Sequence, residues 1–404
     1  MELFLENLLE QIDVHSMKKD FLLVTAALIS GTATAGGLLH HEVATFDSVS
    51  TAGVGNATNR HDASAIITSP AGLTGIEDAS WSFGVQWMDV GNRQQGTLNN
   101  TDFVLKGSNS TVLPSIAYAK RITDDLVIGL SFHAEGGLDL DYSSQTSGSR
   151  FISNQSQNAV NVHLGAGYEL SEALSIGGAL IVQHVMTSLK VDTDVSSDSV
   201  IKAEGYEGNT AASFMLSAFY DLAPNTYISA NYKHQVSHNN NSITIKGSVD
   251  GTPGQLPPED ISITWPSQLN FGVAHQLSEN LTLKGLVGAE FWSNYSDRYN
   301  TKDVYTLGGA LGYQLNRWQL QVGARYDTEL LDEKEMHPEL VIGKNWSLGA
   351  GAERVRRNGH RIGLAYQYRD FGTHDVSYTL DDRFAFTGKV KNNNLHVVSL
   401  SYTY

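Results

Sequence analysis

The chain has 404 residues, with 38 Gly, 17 Tyr, 8 Pro and no Cys, and a net charge of −16 at pH 7 from 27 basic and 43 acidic residues. This length fits one large barrel or two soluble domains, and the lack of cysteine excludes disulfides and thiolate metal sites. The acidic balance argues against nucleic acid, whose phosphates need a basic surface. A mean hydropathy of −0.21 leaves a membrane barrel open, because its lipid-facing and lumen-facing residues alternate and cancel in any average.

At the N-terminus, Met17-Lys18-Lys19-Asp20 leads into an apolar run from Phe21 to Ile29, and Ala33-Thr34-Ala35 stands before Gly36. A basic start, a short apolar core and an A-x-A end predict a secretory signal peptide. The run is too short to span a bilayer as a helix; a buried N-terminal helix is the alternative. Glu2, Glu6, Glu10 and Asp13 make residues 1–16 a poor leader. The expected organisation is therefore an extension plus leader over 1–35, with translation starting at Met17, and a mature chain from Gly36.

Residues 36–79 come next. The stretch from Asn56 to Ile76 is small, polar and punctuated by Gly and Pro, without strand or long-helix periodicity. It is expected to be a plug. Residues 80–404 are a train of alternating segments. Trp81, Phe83, Val85 and Trp87 share one face, as do Leu126, Ile128, Leu130 and Phe132, and later Trp318, Leu320, Val322 and Tyr326. Side chains on a strand change face at every residue, and the opposite rows here are Gly, Ser, Asn, Gln and scattered charges. Short connections, such as Lys120–Asp125 and Leu170–Ala173, alternate with long ones at about 92–111, 138–157, 192–209, 238–260, 294–302, 329–341 and 371–384. This is the outer-membrane pattern of tight periplasmic turns and long outer loops. It predicts an all-β, transmembrane, antiparallel β-barrel of about 14 strands with an N-terminal hatch inside the lumen. Aromatics gather at strand ends as interfacial girdles, and the chain closes on Tyr402 and Tyr404. A soluble β-sandwich or propeller is the competing fold.

Gly53-Val-Gly55-Asn-Ala-Thr-Asn-Arg-His-Asp62-Ala63-Ser64, followed by Ser69-Pro70-Ala71-Gly72-Leu73, resembles the hatch of the outer-membrane long-chain fatty-acid transporters (FadL-like). That hatch carries a Gly-rich lead, Asp-Ala-Ser and Asn-Pro-Ala-Gly-Leu; Ser69 replaces the motif Asn here. Similar pieces recur at Thr264–Ala274, Val322–Asp327 and Leu364–Tyr368. The resemblance implies uptake of long-chain fatty acids or other hydrophobic molecules in the Gram-negative outer membrane, by diffusion past a hatch and lateral release through the wall. It implies contact with outer-membrane lipid, and Tyr404 looks like the signal read by the outer-membrane assembly machinery. The expected state is a monomer without cofactor or metal. A general porin or a structural or adhesive barrel for polar solutes is the alternative, and the hatch argues against it.

The hatch residues expected to matter are Asp62, Ser69, Pro70, Ala71, Gly72 and Leu73. Pro fixes its own φ and restricts its predecessor, and Gly admits backbone geometry that others resist. Leu38, Leu39, Val43 and Phe46 are candidate pocket residues, and Leu256 and Ile261 could meet ligand from an outer loop. Arg60, Lys233, Lys284 and Arg325 are candidates for a ligand carboxylate. Their competing role is a lumen network with Glu135, Glu290, Glu353 and Asp327. Enzymatic signals are poor, since the sequence holds no G-x-S-x-G and no H-E-x-x-H.

Overall fold

The structure is a computed structural model that describes residues 42–141, 154–196, 199–249, 252–255, 259–295, 300–336, 340–380 and 384–404. The leader, Leu38, Leu39 and Leu256 lie outside the described residues. The strands, in chain order, are β1 (Ala79–Leu98), β2 (Thr101–Arg121), β3 (Leu126–Asp141), β4 (Asn154–Ser171), β5 (Leu174–Ser196), β6 (Ser199–Ala223) and β7 (Thr226–Lys233). Then come β8 (Val236–Ile243), β9 (Ile245–Val249), β10 (Thr252–Gln255), β11 (Glu259–Trp265), β12 (Ser267–Ser278) and β13 (Leu281–Phe291). The chain ends with β14 (Val304–Leu315), β15 (Trp318–Asp327), β16 (Asn345–Val355), β17 (Arg361–Asp370), β18 (His374–Leu380) and β19 (Phe384–Thr403).

Successive wall strands pair antiparallel, with β7 joined directly to β12, and β1 pairs with both β2 and β19, so the wall closes as a barrel of 14 strands. β17 and β18 both pair with β19 and form one interrupted wall strand. At the seam, the Trp81 and Tyr404 amides each donate to the other's carbonyl at 2.9 Å. Closure matters because lipid offers no partner to an unpaired N–H or C=O. The large apolar rows face outward, with Trp81, Phe83, Val85 and Trp87 between 39% and 48% exposed. On β15, Leu320 and Val322 lie between Trp318 and Tyr326 on the outer row, while Gln321, Arg325 and Asp327 are buried on the inner one.

The hatch fills the lumen with short pieces. Helix α1 (Phe46–Ser50) starts at Thr45, whose hydroxyl accepts from the Ser48 amide at 3.3 Å. A 3-10 turn follows at Val54–Thr58, then helix α2 (Ala65–Thr68) and a second 3-10 turn at Pro70–Gly75. Pro70 opens that turn, where its missing N–H is not needed.

The outer connections differ from expectation. The stretches 92–111, 192–209 and 371–384 are largely strand, not loop: β1 and β2 run on to a two-residue turn at Asn99-Asn100. Both asparagines have positive φ, 49° and 65°, as a tight right-twisted hairpin requires. The 2-residue periodicity fades there because no lipid selects an apolar row, yet the backbone ladder continues. Between 238 and 260 the wall hairpin also bends away. β8 and β11 leave the barrel sheet and pair with each other, burying Val236, His238, Ile263 and Trp265 beneath the outer loops.

Val322 is the centre of an outer row framed by two aromatic girdle positions. The substitution Val322→Arg is expected to cost about 2–4 kcal/mol of bilayer folding stability. Urea titration into vesicles, read by tryptophan fluorescence, measures it; an unchanged midpoint would mean that this row does not face lipid.

Candidate functional site

The hatch is seated against the inner wall by shape. Val43, Ala63, Ile66, Ile67, Leu73 and Ile76 pack with Ala117, Ala119, Val127 and Ala179 at the end with the short turns. Val54 and Ala57 pack with Leu286 and Ala310. The backbones approach so closely that side chains are excluded. A methyl group at Gly177 would run into the Pro70–Ala71 peptide, and one at Gly349 into the Val49 carbonyl. Wall side chains then satisfy the hatch backbone. The Ser217 hydroxyl accepts from the Ala71 amide at 2.7 Å, and the Tyr227 hydroxyl donates to the Thr58 carbonyl at 3.0 Å. Arg121 Nε donates to the Ile76 carbonyl at 2.9 Å, and Gln367 Nε2 to Glu42 Oε1 at 2.7 Å. Ser69, which stands where the resembled motif has Asn, donates to Asn231 Oδ1 on β7 at 2.5 Å.

Charge adds discrete ties. Asp47 on α1 pairs with Lys284 on β13 and accepts from Gln321 Nε2 at 2.8 Å. Burial pushes the Asp47 carboxyl up, but the Lys284 ammonium beside it, with the hydrogen bonds it accepts, outweighs this and holds it below the usual carboxylate range. Arg60 lies over the Tyr227 ring, 5.0 Å from its centroid, and binds Asp221 at 2.7 Å. Arg361 donates to the His61 carbonyl at 2.8 Å and lies 4.0 Å from Asp62. Asp62 mainly organises its own segment, accepting from the Ser64 amide at 2.8 Å. That is the local turn habit of Asp.

Above the hatch lies a cavity of about 80 Å³ bordered by Val43, Ile67, Thr68, His133, Ala134, Glu135, Met215, Asn231, Lys233, Asn270, Leu286 and Arg325 among others. Of the residues expected from sequence, Val43, Lys233 and Arg325 meet here. Phe46 packs against the wall at Gly363, and Arg60 and Lys284 serve the hatch ties. All four candidate cations already hold carboxylates. Lys233 pairs with Glu135, and Arg325 lies 2.8 Å from Asp327 and 3.6 Å from Glu290. The lining is rich in amides and charges, not the run of apolar pockets that a hydrocarbon path suggests. His133 Nδ1 and Asn161 Oδ1 are buried without a hydrogen-bond partner among the described residues.

The β2–β3 ladder is interrupted beside this cavity. β2 and β3 pair from Arg121↔Val127 to Ser115↔His133, and then only at Ser108↔Asp141. Between these points residues 109–114 and 134–140 share no ladder pair, and the β3–β4 register also shifts between Ala134 and Gly137. Glu135 sits in that bulge and reaches inward, where Lys233, Asn161 and Gln183 hold its carboxylate. Bulges commonly re-aim a side chain in this way.

Sequence reasoning missed His133, Ala134, Asn161 and Gln183 as site residues, and it missed the inward glycines as seats for the hatch. Gly177 and Gly349 stand on inner rows where Gly weakens a strand without packing return. That is the signal that a second backbone approaches there.

A closed strand wall with an apolar outer row and an N-terminal hatch lodged in its lumen defines a plugged transport barrel of the Gram-negative outer membrane. Residues 26–352 match the family described as outer membrane protein transport protein (OMPP1/FadL/TodX), and the chain belongs to that family. It is 22% identical to the outer membrane protein NMB0088 of Neisseria meningitidis serogroup B, over 96% of this chain and 98% of that one. It is 22% identical to outer membrane protein P1 of Haemophilus influenzae over 44% of this chain, spanning 43% of that protein. A Pseudomonas aeruginosa FadL homologue has a similar fold, with a TM-score of 0.78, 16% identity, and coverage of 89% of this chain and 98% of that one. The toluene transporter TodX of P. putida aligns with a TM-score of 0.64 at 15% identity, covering 84% and 93%.

The Asp47 tie carries a pH dependence. A carboxyl held low in the folded state adds stability above the ordinary Asp value of 3.8. That stability is lost as pH falls through the lowered value. Hatch protection, followed by amide exchange or limited proteolysis, is expected to stay level from neutral pH down to about 5 and fall below about 4. Asp47→Asn should loosen the hatch already at neutral pH and remove the Asp47 part of the acid step.

Proposed function

We propose that this chain takes up long-chain fatty acids, or hydrophobic molecules bearing one polar group. In this reading they enter from outside, pass the hatch-bordered cavity and leave sideways into the membrane through the gap between β2 and β3. The observation that carries the reading is a coincidence of place: His133, Ala134 and Glu135 line the cavity and also border the gap. The toluene transporters and the FadL homologue among the similar structures support a hydrophobic ligand. The amides and charges around the cavity favour one with a polar end. Hatch residues Val43, Ile67 and Thr68 form one side of the cavity, so in this reading an acyl chain passes as the hatch or the lining side chains move. The hatch pieces and the leader form one functional scheme with the barrel: leader to Ala35, hatch over 36–79, wall from 80. The chain works as a monomer without a cofactor, and the exposed Tyr404 is offered to the assembly machinery.

A porin for polar solutes is the second reading, and it is disfavoured by a lumen occupied by a hatch with its own glycine seats. Uptake of a labelled fatty acid by cells that lack their own transporter tests the choice, alongside sugar-swelling assays. The intact chain should show saturable uptake and exclude sugars. Deletion of residues 36–78 should admit sugars. Ala134→Trp should lower uptake to near background while leaving a heat-modifiable, folded barrel. Sugar permeation by the intact chain without fatty-acid uptake would establish the porin instead, and undiminished uptake by Ala134→Trp would exclude this exit.

A further inference from the structure

The turns at the hatch end of the barrel are unequal in charge. Those at Thr123–Asp125, Ser171–Ala173, Ala223–Asn225 and Ser278–Asn280 are acidic or neutral, and the flanking Lys120 and Arg121 are paired with Asp78 and Glu169. The neighbouring β14–β15 and β16–β17 turns instead carry Arg317, Arg354, Arg356 and Arg357, in a chain whose net charge is −16. All four are exposed, and none has an ion-pair partner among the described residues.

Arg354 is out of place for a solvated turn residue. On β16 the outer row runs Trp346, Leu348, Ala350, Ala352, Arg354, so its side chain leaves the wall on the face that meets lipid. Arg354 pairs across the strands with Trp318, and its guanidinium lies 5.5 Å from the centre of that ring. At the other end of the same two strands, Tyr326 pairs with Trp346. Eight residues of tilted strand separate the two levels, or about 20 Å of height, close to the ~25 Å apolar band of such barrels. Arg354 thus stands at the headgroup level of the periplasmic leaflet, opposite an indole of the aromatic girdle.

We propose that Arg317, Arg354, Arg356 and Arg357 form a binding site for the phosphate of an anionic phospholipid in the periplasmic leaflet. A guanidinium fork suits phosphate oxygens, and basic side chains at a bilayer surface favour anionic lipid. A soluble acidic partner could reach the turn, but not the outward row that carries Arg354 into the acyl-chain boundary. The Trp318 ring orients that guanidinium without neutralising it.

Native mass spectrometry of the full purified barrel, exchanged from detergent with phosphatidylglycerol or phosphatidylcholine, tests the site. The wild type should retain phosphatidylglycerol preferentially, and R354Q/R356Q/R357Q should lose that preference by roughly tenfold or more at low salt, with phosphatidylcholine unaffected. R354Q alone, which leaves the turn intact, should move in the same direction if the triple variant folds poorly. Inorganic phosphate at equal concentration should not displace the lipid, whose acyl chains rest on the wall. Equal retention of the two lipids by the wild type would overturn the proposal. So would preference unchanged in both variants, or displacement by free phosphate.

Discussion

Everything in this molecule is subordinate to one requirement: inside lipid, each backbone N–H and C=O must find a partner within the chain. The requirement closes the wall at Trp81 and Tyr404 and keeps neighbouring strands in register. It also says where an exception can stand. Residues 109–114 and 134–140 break the β2–β3 ladder, and such a break is tolerable only against a polar interior. The cavity behind it supplies one, with Glu135 turned inward onto Lys233, Asn161 and Gln183. The polar lining and the break in the ladder are thus two sides of a single solution.

The second dependence is steric. A barrel of this size has a lumen, and the hatch fills it with pieces too short to be stable alone. Their stability comes from the fit to the wall. Glycines at 177 and 349 admit the hatch backbone, hydroxyls on β6 and β7 receive its amides or meet its carbonyls, and Lys284 receives Asp47. Such a plug is held by many modest contacts and a few charged ones. It can therefore shift piecewise without the wall unfolding, because the wall's own ladder does not run through it.

The barrel was legible because lipid imposes a strict rule on every second residue. Rows such as Trp318, Leu320, Val322 and Tyr326 announce themselves in the sequence, and the short turns mark their ends. Beyond the membrane the rule lapses, and hairpins such as the one closing at Asn99-Asn100 read as loops although their backbones stay paired. The inward positions of Lys233, Lys284 and Arg325 were legible from alternation, as was Glu135 as a possible partner. Which carboxylate each would hold was not. Lys233 reaches Glu135 on a distant wall strand and Lys284 reaches Asp47 on the hatch, and sequence spacing carries no information about such separations; only Arg325 and Asp327 are near neighbours on one strand. The bulge at Glu135 was likewise invisible, since one inserted residue changes a register without changing composition.

The pairing of those cations has a consequence for selectivity. A free ammonium in the lumen would act as a sink for any carboxylate, holding a fatty acid as firmly as it attracted it. Here each cation is already matched: Lys233 with Glu135, Lys284 with Asp47, Arg60 with Asp221, and Arg325 with Asp327 and Glu290. An arriving acid can gain a cation only by displacing a carboxylate that is already in place, so the net gain is small. Small gains at successive sites let a ligand enter and still leave. In the reading proposed here, the last of these exchanges takes place at the pair whose Glu135 borders the gap in the wall.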